Sequence, residues 1–217
     1  MDISENIKNF QDKLPKDVTL VAISKTKSVD DLLEAYEAGQ RHFGENKIQE
    51  MTEKWEKLPK DIKWHMVGHV QRNKVKYMAP YVSLIHAVDS LKLLKEIHKE
   101  ADKNGHCIDC LLQIKIAEED SKYGISADEA REILDSEEFK ELDHVKVKGL
   151  MGMATFTDDE KQVKKEFDHL KTVFDEFKEQ YSNFEILSMG MSGDYKIAID
   201  SGSNMVRIGS EIFGARD

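Results

Sequence analysis

The stretch TLVAISKTK, residues 19–27, decides the fold predicted for this chain. Its run of apolar and β-branched residues is typical of a parallel strand that is covered on both faces. Side chains alternate along a strand, so that one face carries Val21, Ile23 and Lys25 and the other carries Leu20, Ala22 and Ser24. The stretch therefore predicts a buried strand that ends in a lysine.

Lys25 has two interpretations at the end of this strand. An ammonium aligned with an apolar core is costly unless it is paired or neutralised. A lysine in that position can act as a nucleophilic amine that forms a Schiff base with a carbonyl. The alternative is that Lys25 marks the end of the strand and extends its charge into solvent. On this stretch alone the alternative is favoured, because lysine side chains are mostly exposed.

Strand and helix patterns alternate along the whole chain. Strands are predicted at 19–27, 41–46, 63–68, 82–89, 108–116, 145–155, 184–191 and 204–209. Helices are predicted up to residue 13, from Ser28 to Gly39, at 47–57, 69–79, 90–105, 126–136, 158–180 and 192–200, and in a final segment at 211–216. Ser28, with Asp31 three residues later, is a typical capped helix start.

This alternation predicts the fold class. It implies parallel strands joined by right-handed crossovers. Eight such units in 217 residues predict an α/β fold, a single (β/α)8 TIM barrel forming one domain over residues 1–217. An open, doubly wound sheet is the alternative, although no G-x-G-x-x-G dinucleotide motif follows the first strand.

Composition limits the classes of partner. The formal net charge is −10, which disfavours nonspecific binding to nucleic acid or to anionic membranes, although a local basic pocket can still hold a phosphate. No apolar run approaches the length of a membrane span, and the N-terminus is polar rather than signal-like. We expect a soluble, cytoplasmic protein that acts as a monomer. Cys107 and Cys110 are expected to be reduced thiols that point to opposite faces of a strand.

Polar and glycine-rich sequences follow several predicted strands, at the end where barrels of this type build their sites. In SMGMSGD, Gly190, Ser192 and Gly193 allow backbone N–H groups to approach a ligand where a helix starts. Gly209 and Ser210 do the same in RIGSEIFG. Oriented N–H groups at a helix N-terminus favour an anion, and the loops after strands 7 and 8 are a recurrent phosphate site. The alternative is that these residues only cap helices.

Other polar residues fall within or beside the strands. Arg207 lies in the apolar run MVRIG, where a permanently charged guanidinium needs a carboxylate of the barrel or an acceptor on a ligand. Asn46 is a candidate ligand-binding group at a loop mouth, or a helix cap. His65 and His69 have a spacing that suits a metal only on a helix; since His65 falls in a strand, we expect no metal site there.

A lysine at one strand end, an anion site on adjoining strands and an interior arginine together suggest a phosphorylated aldehyde. Pyridoxal 5′-phosphate (PLP) fits all three features, with its aldehyde on Lys25, its phosphate on the loops at Ser192, Gly209 and Ser210, and its ring nitrogen facing Arg207. The first, seventh and eighth strands are neighbours in a closed barrel, which makes this arrangement feasible.

Five blocks of sequence carry a family resemblance: AISKTK at 22–27, HFGENKIQE at 42–50, WHMVGHVQRNK at 64–74, GLMGM at 149–153 and LSMGMSGDYKIAIDSGSNMVRIGSEIFGAR at 187–216. They resemble the pyridoxal phosphate homeostasis protein family. The resemblance implies a barrel like the N-terminal domain of alanine racemase, with Lys25 as the Schiff-base lysine. Lys47 and Gly152 depart from the residues common in the family, without touching the proposed lysine or phosphate positions.

The resemblance implies a protein that binds PLP and maintains its supply, without an established turnover of its own. PLP-dependent apo-enzymes are then its possible recipients. A small PLP-dependent amino-acid racemase is the alternative, but racemases of this fold recruit a second domain and a tyrosine base, for which we expect this chain to be too short. A metal-dependent or sugar-phosphate barrel without PLP is the third hypothesis.

Overall fold

Eight parallel strands close into a barrel in the computed structural model, which describes residues 2–119 and 123–214. The strands are β1 (Thr19–Ile23), β2 (His42–Glu45), β3 (Lys63–Met66), β4 (Val82–Val88), β5 (Ile108–Gln113), β6 (Val145–Met151), β7 (Ile186–Met191) and β8 (Met205–Ile208). They pair in chain order, and β1 pairs with β8 to close the ring, with Val21 beside Arg207. The predicted barrel is confirmed and the open sheet is not observed.

Helices connect the strands and cover the barrel. They are α1 (Ile3–Lys13), α2 (Val29–Glu37), α3 (Ile48–Lys57), α4 (Val75–Met78), α5 (Leu91–Lys103), α6 (Ala127–Asp135), α7 (Glu137–Lys140), α8 (Glu160–Gln180), α9 (Tyr195–Asp200) and α10 (Ser210–Phe213). None of the helices within the described residues combines the length and apolarity that crossing a bilayer requires.

Serine caps fix where several helices begin. The Ser28 hydroxyl accepts from the Asp31 N–H at 3.1 Å, and the Asp31 carboxylate accepts from the Ser28 N–H at 2.9 Å. This reciprocal pair satisfies two N–H groups that the first turn leaves open. Ser126 forms the same motif at the start of α6. The predicted cap at Ser28 is therefore confirmed.

Apolar side chains form two separate cores. Leu20 and Ala22 belong to the larger core, which lies between the strands and the helices, whereas Val21 belongs to a smaller cluster that fills the barrel. Leu84, Leu111, Met151 and Met205 are in the same inner cluster. The alternation predicted for β1 is confirmed, and it determines which face of each strand can contribute to a site at the barrel mouth.

The helix predicted at 69–79 is shorter than expected. A 3-10 turn (Arg72–Lys74) leads into α4, and Gln71 is extended, with φ −78° and ψ 124°. The chain reaches this turn by passing close over the end of β2, since a Cβ on Gly68 would lie 2.4 Å from the Asn46 carbonyl oxygen. The chain therefore crosses the end of β2 before the first helical turn begins. The prediction that residues 69–71 are helical is wrong.

The two cysteines are both free thiols, with Cys107 exposed and Cys110 buried in the outer core. Burial raises the pKa of the Cys110 thiol well above its usual range. Cys107 precedes β5 and Cys110 lies within it, so the two thiols have different surroundings, and their reduced state stays a prediction.

Substitution of Gly149, in β6, tests how closely the backbones of β6 and β7 approach each other. Its φ is +153°, and a Cβ there would lie 1.8 Å from the Ile186 carbonyl oxygen. Gly149→Ala is expected to lower the free energy of unfolding by about 3 kcal/mol through backbone strain and overpacking. Urea unfolding measures this loss.

Gly105→Ala is the matched control. Gly105 also has a positive φ, of +68°, but a Cβ there would meet nothing within 4 Å. The expected loss is about 1 kcal/mol, from strain alone. Equal losses in the two variants would contradict the close approach of the strands at Gly149.

Candidate functional site

Five of the six predicted site residues line one cavity at the C-terminal ends of the strands. Lys25, Ser192, Arg207, Gly209 and Ser210 share a cavity of about 430 Å³. Its other lining residues include Lys27, Phe156 and Asp194. Of the described residues that line the cavity, three carry a cationic side chain and one carries a carboxylate, and this balance favours an anionic ligand.

Asn46 is the predicted site residue that lies outside this lining. It is exposed in the bend that follows β2, and its carbonyl oxygen lies beneath Gly68. Its role in binding a cofactor therefore stays a prediction that the cavity geometry does not support.

Lys25 follows β1 rather than ending it. The strand stops at Ile23, and Lys25 lies in a turn whose next residue, Thr26, has a φ of +67°. The Lys27 N–H donates to the Ser24 carbonyl at 3.1 Å and closes the turn. Lys25 is half-buried and its side chain lines the cavity.

A buried ion-pair network holds the backbone on both sides of Lys25. Lys54 Nζ, on α3, donates to the Ser24 carbonyl, to Glu45 Oε1 and to Glu50 Oε1, each at 2.7 Å. Glu50 Oε1 also accepts from the Thr26 N–H at 2.6 Å, and the Ser24 hydroxyl donates to Glu45 Oε1 at 2.6 Å. The turn that carries Lys25 is thereby fixed to α3 and β2.

Glu45, one of the two carboxylates of this network, is fully buried. Burial raises the pKa of Glu45, while the Lys54 ammonium and the Ser24 hydroxyl act in the opposite direction. A buried charge of this kind needs its partner, and removal of one member of such a pair usually costs about 3–5 kcal/mol. The sequence did not single out Lys54, since its i, i+4 spacing from Glu50 is also typical of a solvated helix face.

The anion side of the cavity comes from the ends of β7 and β8. Gly190 has a φ of +99°, and the chain turns sharply because Asp194 Oδ1 accepts from the Met191 N–H at 2.6 Å. The Gly209 N–H lies 3.4 Å from Ser192 Oγ, which brings the two loops together. The helix predicted at 192–200 begins only at Tyr195, because the turn occupies the preceding residues.

Arg207 is buried at the base of the cavity. Its Nη1 donates to the carbonyl and the hydroxyl of Ser188 at 3.0 and 2.6 Å, and its Nη2 donates to the Gly152 carbonyl at 3.1 Å. Within the described residues its hydrogen-bond acceptors are thus carbonyls and a hydroxyl, not the barrel carboxylate considered above. Burial lowers the pKa of Arg207 to about 10, partly offset by Asp194, so the guanidinium stays charged at neutral pH.

Comparison with known proteins places the chain in a family. A family model described as alanine racemase, N-terminal domain, matches residues 2–217. A pyridoxal phosphate homeostasis protein of Helicobacter pylori is 42% identical over 200 residues, covering 90% of this chain and 87% of that protein. The corresponding protein of Escherichia coli is 34% identical and covers 100% and 97%. The chain belongs to the pyridoxal phosphate homeostasis protein family.

Solved structures agree with this assignment. PipY of Synechococcus elongatus, solved with PLP bound, has a TM-score of 0.89 and 32% identity, over 98% of this chain and all of that one. An alanine racemase of Clostridium difficile has a TM-score of 0.80 at 17% identity, which shows the shared barrel alone. This chain spans 56% of that racemase's length.

In this member of the pyridoxal phosphate homeostasis protein family, three histidines lie beneath the cavity inside the barrel. His42 Nδ1 is 2.9 Å from His65 Nε2, and His65 Nδ1 is 2.8 Å from His86 Nε2. His86 Nδ1 is in turn 2.9 Å from Ser188 Oγ, which contacts Arg207. The sequence showed each histidine inside a predicted strand, but no signal in it indicated that the three would meet.

All three histidines are neutral at physiological pH. Burial lowers the pKa of His65 to about 3 and that of His42 to about 4, with further lowering by the Lys63 charge. Burial, His65 and Arg207 hold the pKa of His86 well below its usual range. Imidazolium formation is therefore disfavoured along the whole row.

A separate group of possible metal ligands lies at the opposite end of the barrel. His98, Asp143 and His144 have ligand atoms within 4.8 Å of one another, next to the start of β6. The group is remote in the fold from the strand ends that form the cavity. His69, in contrast, is mostly exposed, and its Nδ1 lies 3.8 Å from Asp89 Oδ2.

Because these buried histidines are neutral, we expect the free energy of unfolding to decrease as the pH falls. The unfolded chain takes up protons on these groups below about pH 6.5, whereas the folded chain does not until about pH 4 or 3. Their contribution to stability is therefore fully present above about pH 6.5 and is lost as the pH falls, at up to about 1.4 kcal/mol per pH unit for each histidine. Urea unfolding between about pH 7 and pH 5 measures the slope.

His169→Asn is the control, because His169 is exposed on α8. The variant is expected to show the same loss of stability on acidification as the parent protein. A free energy of unfolding that stays constant across this interval would contradict the burial of neutral histidines.

Proposed function

We propose that this protein binds PLP in the cavity through a Schiff base on Lys25 and serves in intracellular PLP homeostasis and carriage. The observation that supports the proposal most directly is that Lys25, Arg207 and the loops at Ser192 and Ser210 line one cavity. Its volume of about 430 Å³ lies within the range of small-molecule sites. The PLP-bound structure of the related PipY adds independent support.

Lys25 would supply the covalent contact. As the unprotonated amine, its Nζ would add to the aldehyde carbon and form a C=N bond with loss of one molecule of water. Attack by water reverses the step and restores both partners. A bond of this kind retains the cofactor and still permits its release, so the recipients we propose are PLP-dependent apo-enzymes.

The loops after β7 and β8 would hold the phosphate. Ser192 and Ser210 offer hydroxyl donors, and the Ser210 and Glu211 N–H groups precede the first internal hydrogen bond of α10, which runs from the Ile212 N–H to the Gly209 carbonyl. The Gly209 N–H and Ser192 Oγ are already close to each other, so a phosphate oxygen can accept from both loops.

Arg207 would contact the ring nitrogen. Three of its five N–H donors are used by Ser188 and Gly152 within the described residues, which leaves two for a ligand. The contacts proposed for Lys25, the loops and Arg207 all bind and orient the cofactor. A carrier is therefore the function that they support best.

The covalent contact is tested by reduction with borohydride followed by mass mapping. The expected result is a pyridoxyl adduct on the peptide that contains Lys25 and no adduct in Lys25→Arg, because reduction fixes the C=N bond where it formed. Lys27→Arg is the matched control, since Lys27 lines the same cavity, and it should retain the adduct. An adduct that survives in Lys25→Arg would assign the bond to another lysine.

The phosphate contact is tested by Ser192→Ala combined with Ser210→Ala. Loss of two hydrogen bonds to a charged group is expected to weaken PLP binding by at least about tenfold. Pyridoxal, which lacks the phosphate, should bind the parent and the double variant equally well. Absorbance titration measures both affinities, and an equal loss for PLP and pyridoxal would place the phosphate elsewhere.

A further inference from the structure

A row of polar side chains crosses the inside of the barrel and ends at Arg207, the one member of the row for which a contact with PLP is proposed. His42, His65 and His86 lie on the adjacent strands β2, β3 and β4, and Ser188 and Arg207 lie on β7 and β8 across the barrel. The four links between them measure 2.9, 2.8, 2.9 and 2.6 Å. His65, His86, Ser188 and Arg207 are each at most 4% exposed, so water cannot replace these partners freely.

The direction of the hydrogen bonds follows from the chemistry of the two ends. A guanidinium only donates, so Ser188 Oγ must accept from Arg207. The Ser188 hydroxyl proton then has His86 Nδ1 as its acceptor within the described residues. His86 must be unprotonated at Nδ1 to accept, and a neutral imidazole then carries its proton on Nε2.

The same reasoning passes from one ring to the next. His86 Nε2–H donates to His65 Nδ1, and His65 Nε2–H donates to His42 Nδ1. The row ends at His42, which is half-buried at the start of β2. In the reversed direction, Ser188 Oγ would accept from both His86 Nδ1–H and Arg207, and its own hydroxyl proton would have no acceptor among the described residues, which is costly for a buried group.

We propose that His42, His65, His86 and Ser188 act as positioning residues, through a hydrogen-bond chain of fixed direction that orients Arg207 toward the cavity. All three imidazoles are Nε2–H tautomers in this chain. Ser188 Oγ is held as an acceptor, which fixes the plane of the guanidinium and directs its two remaining donors toward the cavity. The direction of the chain is independent of the ligand, whereas the effect on binding rests on the proposed function.

The direction is tested on the protein without ligand, by nuclear magnetic resonance of the histidine ring nitrogens in ¹⁵N-labelled parent protein. The expected result at neutral pH is the Nε2–H tautomer for His42, His65 and His86, assigned by single substitution of each. An Nδ1–H tautomer or an imidazolium at His65 or His86 would overturn the proposal, whether or not the protein binds PLP.

The positioning effect is tested with Ser188→Ala and its matched control, Ser203→Ala. Ser203 is also a buried serine between β7 and β8, but in the described part of the chain its hydroxyl contacts only the backbone carbonyls of Leu187, Met189 and Met205. Ser188→Ala is expected to weaken PLP binding about five- to tenfold, the value of one hydrogen bond. His86 should also populate both neutral tautomers in this variant, because the Ser188 hydroxyl that donates to Nδ1 is removed.

The control separates positioning from general loss of stability. Ser203→Ala is expected to lower the unfolding midpoint in urea to a similar extent and to leave PLP affinity and the His86 tautomer unchanged. Equal weakening of PLP binding in both variants, or unchanged binding in Ser188→Ala, would overturn the positioning role. If the parent protein binds no PLP, the proposed function fails, and the ring-nitrogen spectra still decide the direction of the chain.

Discussion

The interior of this barrel is organised around a charge that cannot be removed. Arg207 stays protonated at neutral pH even when buried, so the strands around it must supply acceptors. The carbonyls of Ser188 and Gly152 and the Ser188 hydroxyl meet that requirement. Because these acceptors come from β7 and from the residue that follows β6, one side chain on β8 ties three neighbouring strands together beneath the cavity.

A second buried cation plays a comparable part on the other side of the site. Lys54 contacts Glu45 and the Ser24 carbonyl, and so fixes the turn that carries Lys25. The two cations differ in how their charges are compensated. Lys54 forms an ion pair with a carboxylate, whereas Arg207 donates to neutral acceptors. Arg207 can therefore offer its remaining donors to a ligand, whereas Lys54 is fully committed to the fold.

The barrel was predicted from eight alternating strand and helix patterns. Lys25, Ser192, Arg207, Gly209 and Ser210 were predicted as site residues because they are polar or glycine residues within or just after the predicted strands. The sequence did not predict contacts that depend on register. The three histidines meet only because adjacent strands are staggered, and a bulge shifts the register between β3 and β4. The start of α9 was missed because a carboxylate at Asp194 formed a turn where a helix cap was expected.

The donor-only character of Arg207 also bears on whether such a site retains a cofactor or transforms it. A guanidinium that faces the pyridine nitrogen donates a hydrogen bond and keeps its own proton, since its pKa of about 10 lies far above that of a pyridine. The ring nitrogen then stays unprotonated, and the ring is a weaker electron sink for a carbanion. The histidine row reinforces this state, because neutral imidazoles of fixed direction supply no proton to the guanidinium or to the ring. Under the proposed function, the interior of the barrel would therefore favour reversible retention of the cofactor over chemistry that builds negative charge on it.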